Sequence, residues 1–266
     1  MPELAEVEYF RGRWDVGLGR KILSVALHEK KRIFRGANPG AIGKALTGAK
    51  FLRSEARGKQ LLFAFSGGAW LGLHLGMTGK LRTEPPDFEP GKHDHLVLRQ
   101  KDTALVFSDS RLFGRVRFDQ EPQPPKWWTD IGPALTSPTF TEKLCRERLQ
   151  RRRRAPVKAA LLDQKLFPGI GNWMADEILW QARIHPATPR AELSTAQMKV
   201  VWQKTRLVCR TALRTIGKDW SDPPSDWFIH VRWRKSGHCP RHGTALNHAT
   251  VAGRTTAWCP QCQPRK

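Results

Sequence analysis

The hydrophobic period of this 266-residue chain changes once, and that change bounds the folds open to it. Up to residue 121 the apolar runs are short and strand-like: "KILSVALHEK", "KQLLFAF", "AWLGLHLG", "DHLVLRQ", "ALVFSDS" and "RVRFD". Gly, Asp or Lys turns part them, as in an all-β sandwich or barrel. Beyond residue 137 the period is helical. The stretch between, within "DQEPQPPKWWTDIGPAL", is rich in proline and reads as a linker. One sheet or one helical bundle cannot accommodate both patterns, so at least two architectures are joined.

Helices punctuate the first part. "LAEVEYFRGRWDVG", residues 4 to 17, puts Leu4, Val7, Phe10 and Trp14 near one helical face, and "AIGKALTG" gives a second short helix. In the second part, "TFTEKLCRERLQRRRR" opens on a Thr cap, followed by "PVKAALLDQK" and "GNWMADEILWQARI". From Ser194, a long apolar stripe includes Met198, Val201, Thr205, Val208, Cys209 and Ala212. Cys145 and Cys209 fall within these helices and are expected to be buried, unreactive thiols. After "GKDWSDPPSD" the chain turns to strands and cysteines. The expected class is α+β multidomain: a β domain over 1–121, a linker over 122–137, a helical domain over 138–225 and a small metal-bound hairpin over 226–266.

The tail carries the sharpest local pattern. Cys239-x2-His242, sixteen residues, then Cys259-x2-Cys262 gives two knuckles that can close a tetrahedron around zinc. His238 and His248 lie nearby, but the spacing from Cys239 favours His242. Four protein ligands imply one structural zinc ion with no open catalytic position. At the hairpin tip, "VAGRTT" places Arg254 beside a Gly turn.

Charge points to the partner. Lys and Arg number 46 against 24 acids, a formal +22. A field of that sign attracts polyanions, nucleic acid foremost. No apolar run reaches the length of a membrane span, and the acidic, amphipathic N-terminus is no secretory signal. A cytoplasmic location is expected. The run Arg151 to Arg154, with Lys158 and the Gly-rich turn of "KLFPGIGNWMADE" before Asn172, suggests a grip on backbone phosphates. Some of those arginines belong to a solvated face.

The first ten residues, "MPELAEVEYF", put Pro2 and two acids at the extreme end of the chain. The plain reading is a helix start, with Glu3 and Glu6 complementing its dipole.

"MPELAEVE", "GKQLLF", "HLGMTGKL", "KHDHLVL", "DSRLFGRV", "LLDQKLFPGIGNWMADEIL" and the tail occur here in one order. Over essentially the whole chain this resembles the formamidopyrimidine-DNA glycosylase/endonuclease VIII family of base-excision repair. The resemblance implies an N-terminal β-sandwich, a helix-two-turn-helix domain and a C-terminal zinc-finger β-hairpin. It implies a monomeric, bifunctional glycosylase and abasic-site lyase acting on double-stranded DNA with damaged bases or abasic sites. Methionine is removed and the Pro2 nitrogen attacks the sugar C1′. The resulting iminium acidifies C2′ and leads to β,δ-elimination. Glu3 acts as general acid. Lys59 lies on a β-turn beside the phosphates, and Arg254 completes the catalytic set. Met77, Arg111 and Phe113 fill the hole left by the extruded nucleotide. Periodicity alone favours core positions for Met77 and Phe113. His93, Arg154, Lys158 and Asn172 match DNA contacts, and Glu177 matches an acid near the lesion pocket.

Four positions depart from the family pattern: Ala5 for a second proline, His242 for Cys, Met174 for Tyr, and a short Pro-rich "IGKDWSDPPSDWF" where 8-oxoguanine-specific members carry a longer capping loop. The resemblance therefore does not carry over a lesion preference: ring-opened purines or hydantoins are credible substrates, and 8-oxoguanine is in doubt. Charge, tail and wedge residues would equally serve a non-catalytic damaged-DNA-binding relative; Pro2, Glu3 and Lys59 discriminate. An endonuclease VIII-like enzyme for oxidised pyrimidines is a further alternative, against which the separated Met, Arg and Phe speak.

Overall fold

The computed structural model describes residues 1–151 and 153–265; Arg152 of the arginine run lies outside them. The chain divides into two compact units, Met1–Ile131 and Gly132–Lys266.

The first unit holds helices α1 (Leu4–Gly12) and α2 (Pro39–Leu46) and eight strands. In chain order these are β1 (Ser24–Leu27), β2 (Phe51–Arg57), β3 (Gln60–Phe65), β4 (Ala69–His74), β5 (Lys80–Glu84), β6 (Asp94–Arg99), β7 (Ala104–Ser108) and β8 (Arg115–Gln120). They make two four-stranded antiparallel sheets, ordered β1-β6-β7-β5 and β2-β3-β4-β8. Alternation assigns the faces. Leu61, Phe63 and Phe65 of β3 and Leu71 and Leu73 of β4 enter the sandwich core, where Val7, Phe10 and Trp14 join them. Each such fully buried side chain is worth about 1.5–3 kcal/mol of transfer free energy. Leu62, Ala64 and Trp70 point the other way and are covered by Trp127 and Trp128 of α3 (Lys126–Thr129). Part of the stretch expected as a linker therefore packs on this sheet. Gly72 permits the contact, since a Cβ there would meet the Trp127 ring at 2.5 Å.

The second unit contains α4 (Glu142–Gln150), α5 (Val157–Leu162), α6 (Asn172–Ala182), α7 (Thr195–Arg214), α8 (Ile216–Asp219) and a hairpin of β9 (Asn247–Val251) and β10 (Arg254–Trp258). Thr141 caps α4 by accepting from Leu144 N–H at 3.2 Å, and Ser194 and Gln197 form a reciprocal capping box on α7. The stripe Met198, Val201, Val208, Cys209 and Ala212 is buried as its spacing requires. Cys145 and Cys209 are both fully buried, and burial drives the Cys145 thiol up to about 12. The tail does not stand alone. Cys239, Leu246, Ala257, Cys259 and Cys262 share a cluster with Trp180 and Phe228.

Candidate active site and metal centre

The plain reading of the N-terminus is correct as far as it goes. Glu3 is the N-cap of α1, its N–H donates to Glu6 Oε2 at 3.2 Å, and the two residues form a reciprocal capping box. This fixes a carboxyl that is only 4% exposed directly after the half-buried Pro2. Arg11 ties the far end of α1 to the sheet through Ser54 Oγ at 2.7 Å. With Met1 in place the Pro2 nitrogen is an amide. Only after its removal is that nitrogen a secondary amine.

Lys59 sits in the two-residue turn joining β2 and β3, where Arg57 pairs with Gln60. Gly58 takes φ 59 there, the left-handed conformation that such hairpin turns demand at their first central position. The register Gln60↔His74 brings this turn beside the end of β4. Burial, then the charges of Lys59, Arg117 and Arg35, hold the His74 imidazole down at about 4. Its Nδ1 accepts the Gly76 N–H at 3.0 Å, so Nε2 carries the proton of a neutral donor. Sequence reasoning quoted "HLGMTG" but passed over this histidine. Only strand pairing reveals its neighbours.

Met77 and Phe113 are not core residues. They are 41% and 44% exposed, and Arg111 Cζ stacks 4.9 Å from the Phe113 ring centroid. One buried carboxylate organises both loops. Asp109 Oδ1 accepts the Thr78 hydroxyl at 2.7 Å and the Arg111 N–H at 3.2 Å, while Oδ2 accepts the Gly114 N–H at 2.6 Å. The loops also touch directly: a Cβ on Gly76, at φ 62, would lie 2.4 Å from the Phe113 carbonyl carbon. Asp109→Ala should therefore cost about 1–3 kcal/mol for each donor it orphans in a buried setting. Urea unfolding measures the loss, and crystallography of the variant should find Met77 and Phe113 no longer in one arrangement. His93 is exposed, and its carbonyl accepts the Asp109 N–H at 2.9 Å.

In the second unit Arg154 and Arg254 are exposed. Arg254 follows a tight turn in which Ala252 and Gly253 have φ 53 and 70. Asn172, first residue of α6, donates through Nδ2 to the Thr255 carbonyl at 2.9 Å, so helix start and hairpin strand are joined. Two of the expected site residues lie in the interior. Lys158 presents no ammonium to a phosphate: its side chain is 0% exposed, with Nζ 2.6 Å from Asp176 Oδ1 and donating to Thr256 Oγ1 at 2.6 Å. Asp176 also holds Arg232 in the same interior. Glu177 is likewise fully buried; it accepts from Gln181 Nε2 at 2.8 Å and Ile229 N–H at 3.0 Å. Met174 is buried within the same helix.

Burial raises the Glu177 carboxyl from its ordinary 4.5 to about 7, against the lowering effect of its hydrogen bonds and of Arg241. A group raised on folding stabilises fully below its unfolded value and loses that contribution as pH rises through the folded one. Stability of this unit should thus fall between about pH 5 and 8, by at most about 3 kcal/mol. Glu177→Gln should flatten that slope in denaturant titrations across the range.

Ligand atoms of Cys239, His242, Cys259 and Cys262 all lie within 4.8 Å of one another. Cys239 Sγ is 3.7 Å from Cys262 Sγ, and Cys262 Sγ is 3.1 Å from His242 Nδ1. Tetrahedral zinc–thiolate bonds require sulfurs about 3.8 Å apart, so the cage has the size and donor chemistry for such an ion. His242, not His238, belongs to the group. Trp180 Nε1 lies 3.4 Å from Cys239 Sγ and supports the cage from α6.

Residues 1–116 match the model of the formamidopyrimidine-DNA glycosylase N-terminal domain, and residues 131–222 that of the same family's H2TH domain. The chain belongs to the formamidopyrimidine-DNA glycosylase family. A curated relative from Roseiflexus sp., a formamidopyrimidine-DNA glycosylase, is 35% identical over 273 residues, covering 99% of this chain and 100% of its own. A relative of the same name from Halorhodospira halophila is 34% identical over 272 residues, covering 99% of this chain and 100% of its own. Among solved structures, the Lactococcus lactis enzyme bound to abasic-site DNA superposes with TM-score 0.87 at 31% identity, covering 99% and 100% of the two chains. The same enzyme with DNA containing Fapy-dG gives 0.88 at 31% identity and the same coverage. No helix among the described residues is long and apolar enough to cross a membrane.

Proposed function

We propose that this chain is a bifunctional DNA glycosylase and abasic-site lyase of base-excision repair. The observation that carries the reading is the exposure of Met77 and Phe113 on two loops knitted by Asp109. Large apolar side chains held rigidly in solvent serve no core and suit insertion into a base stack. Arg111, stacked on Phe113, then faces the orphaned partner base. Freed of Met1, the Pro2 nitrogen attacks C1′ and expels the damaged base. Glu3, fixed by its cap, protonates the opening sugar. The iminium draws electrons from the C2′–H bond, and β,δ-elimination expels the flanking phosphates. Lys59, with Arg254 and Asn172, takes backbone phosphates; His93 and Arg154 are outer contacts. Lys158 and Glu177 act from the interior, by holding these surfaces in place.

The four-residue cage holds zinc as a structural ion. Metal analysis should find one zinc per chain, lost in His242→Ala and kept in His238→Ala. The converse result would reassign the ligand. Functionally the chain divides into a catalytic part over 1–121, a linker over 122–137, a DNA-gripping helical part over 138–225 and the finger over 226–266, working in the cytoplasm. The short segment 220–227 leaves little chain to cap an extruded base, which favours ring-opened purines or hydantoins over 8-oxoguanine.

Borohydride trapping tests the reading. An adduct on duplexes with an abasic site or a hydantoin supports the lyase, and the lesion dependence names the substrate. With Met1 verifiably absent, no adduct on the abasic duplex would leave a damage-binding protein.

A further inference from the structure

On the outer face of the second sheet lies a cavity of about 250 Å³ lined by Arg35, Arg115, Arg117, Gln60 and His74, with no acid in its wall. The sheet register explains the convergence. Gln60, His74 and Arg115 are opposite one another across β3, β4 and β8, and Arg117 stands two residues along on the same face. Trp127 holds Arg117 from the side, its ring centroid 4.7 Å from Arg117 Cζ, over the space that Gly72 leaves free. Phe113 sits at the rim.

Each polar side chain that lines this cavity can offer a donor. His74 is neutral with its proton on Nε2, as derived above, and Gln60 offers an amide. Arg35 spends one nitrogen on the Gly114 carbonyl at 2.9 Å and keeps the remainder of its fork. Arg115 Nε is buried and has no hydrogen-bond partner. A buried donor left unmade costs about 1–3 kcal/mol, and three guanidinium groups crowded together add mutual repulsion. Burial and neighbouring arginines lower the affinity of both Arg35 and Arg117 for their protons. Asp119, an acid whose charge acts on Arg117, is itself engaged by Trp127 Nε1 at 2.9 Å. An arrangement of this kind relaxes when an anion with several acceptor oxygens enters it.

We propose that Arg35, Arg115 and Arg117 form a seat for one backbone phosphate of the DNA on the outer face of the second sheet, built from side chains other than Lys59. The ligand is a phosphodiester, because planar forks from two neighbouring positions of β8 and from Arg35 match its non-bridging oxygens. This rests on the DNA-binding reading above. It adds a contact that fixes the duplex on the first unit without reading sequence.

Single methylphosphonate linkages, scanned through a duplex carrying a stable abasic-site analogue, test the proposal. At one linkage, removing the phosphate charge should weaken wild-type binding about tenfold. In the Arg115→Gln/Arg117→Gln variant the same substitution should weaken it less than twofold. The slope of log K against log salt should fall by about one unit for the lost phosphate contact. Lys44→Gln, an exposed charge change on α2, should leave the linkage dependence intact. If the double variant does not fold, Arg35→Gln at an exposed side chain takes its place. Equal losses in wild type and variant at every linkage would overturn the seat. Trapping of the wild-type protein on the unmodified abasic duplex is scored separately. A positive trap without linkage coupling rejects the seat alone, and coupling without a trap rejects the lyase alone.

Discussion

With Met1 retained, or with the Pro2 nitrogen acetylated, borohydride trapping on an abasic duplex is expected to fall by at least about 10³-fold, to background. The reason is electronic. An α-amine has a pKa of roughly 8 and offers a lone pair near neutral pH, whereas an amide nitrogen shares its pair with the carbonyl. A nucleophile so blocked has no slower version of the same path. Binding should survive, because Glu3 keeps its cap with Glu6 and the wedge loops are untouched. In the processed protein the trapping rate should climb with pH as the amine loses its proton, and level off above roughly pH 8. Intact mass must accompany each assay to show which N-terminus is present. Trapping that persists with Met1 in place would move the nucleophile to a lysine. Lys59→Ala would then be the variant to lose it.

How much of this was legible in the sequence depended on the kind of signal each part sends. The core strands β3, β4, β6 and β7 announce themselves because both of their faces are largely buried, so their residues are apolar almost throughout. Strands β2 and β5 went unread. "FLRSEAR" and "KLRTE" are polar because both lie at sheet edges, where charge discourages pairing with another chain. The Cys239, His242, Cys259 and Cys262 cage was legible because ligand spacing is a local property. The exposure of Met77 and Phe113 was legible only through family resemblance, since both look like core residues to any periodicity argument. Asp109 was invisible for a different reason. It joins residues 78, 111 and 114, and nothing in the chain marks one aspartate as the acceptor of all three. Lys158 differs in the opposite sense: a lysine beside an arginine run reads as surface, and only the fold supplies Asp176 from the next helix, α6.

That buried lysine sets up the largest expected loss of stability. Asp176→Ala should destabilise the second unit by about 3–5 kcal/mol, a large share of the 5–15 kcal/mol that holds a typical domain together. Asp176 lies between Lys158 Nζ at 2.6 Å and the Arg232 guanidinium, with Arg232 Nε at 3.0 Å. All three side chains are 0–1% exposed. Removing the carboxylate leaves two cations out of water with no counter-charge, which costs more than the pair contributed. Replacing the whole group should be far milder: a Lys158→Met, Asp176→Leu, Arg232→Met variant should recover most of the loss, since no charge remains buried. The damage should also reach the DNA-facing surface. Lys158 donates to Thr256 Oγ1, and Ala257 N–H approaches Asp176 Oδ2 at 3.4 Å, so the same ions anchor the strand that begins at Arg254. Asp176→Ala should therefore weaken DNA binding even where the protein remains folded, while the apolar triple variant should restore stability more fully than affinity. Urea unfolding and binding isotherms on the same samples separate the two effects. A single Asp176→Ala variant as stable as wild type would show that water reaches these ions and that the interior is not as dry as its geometry implies.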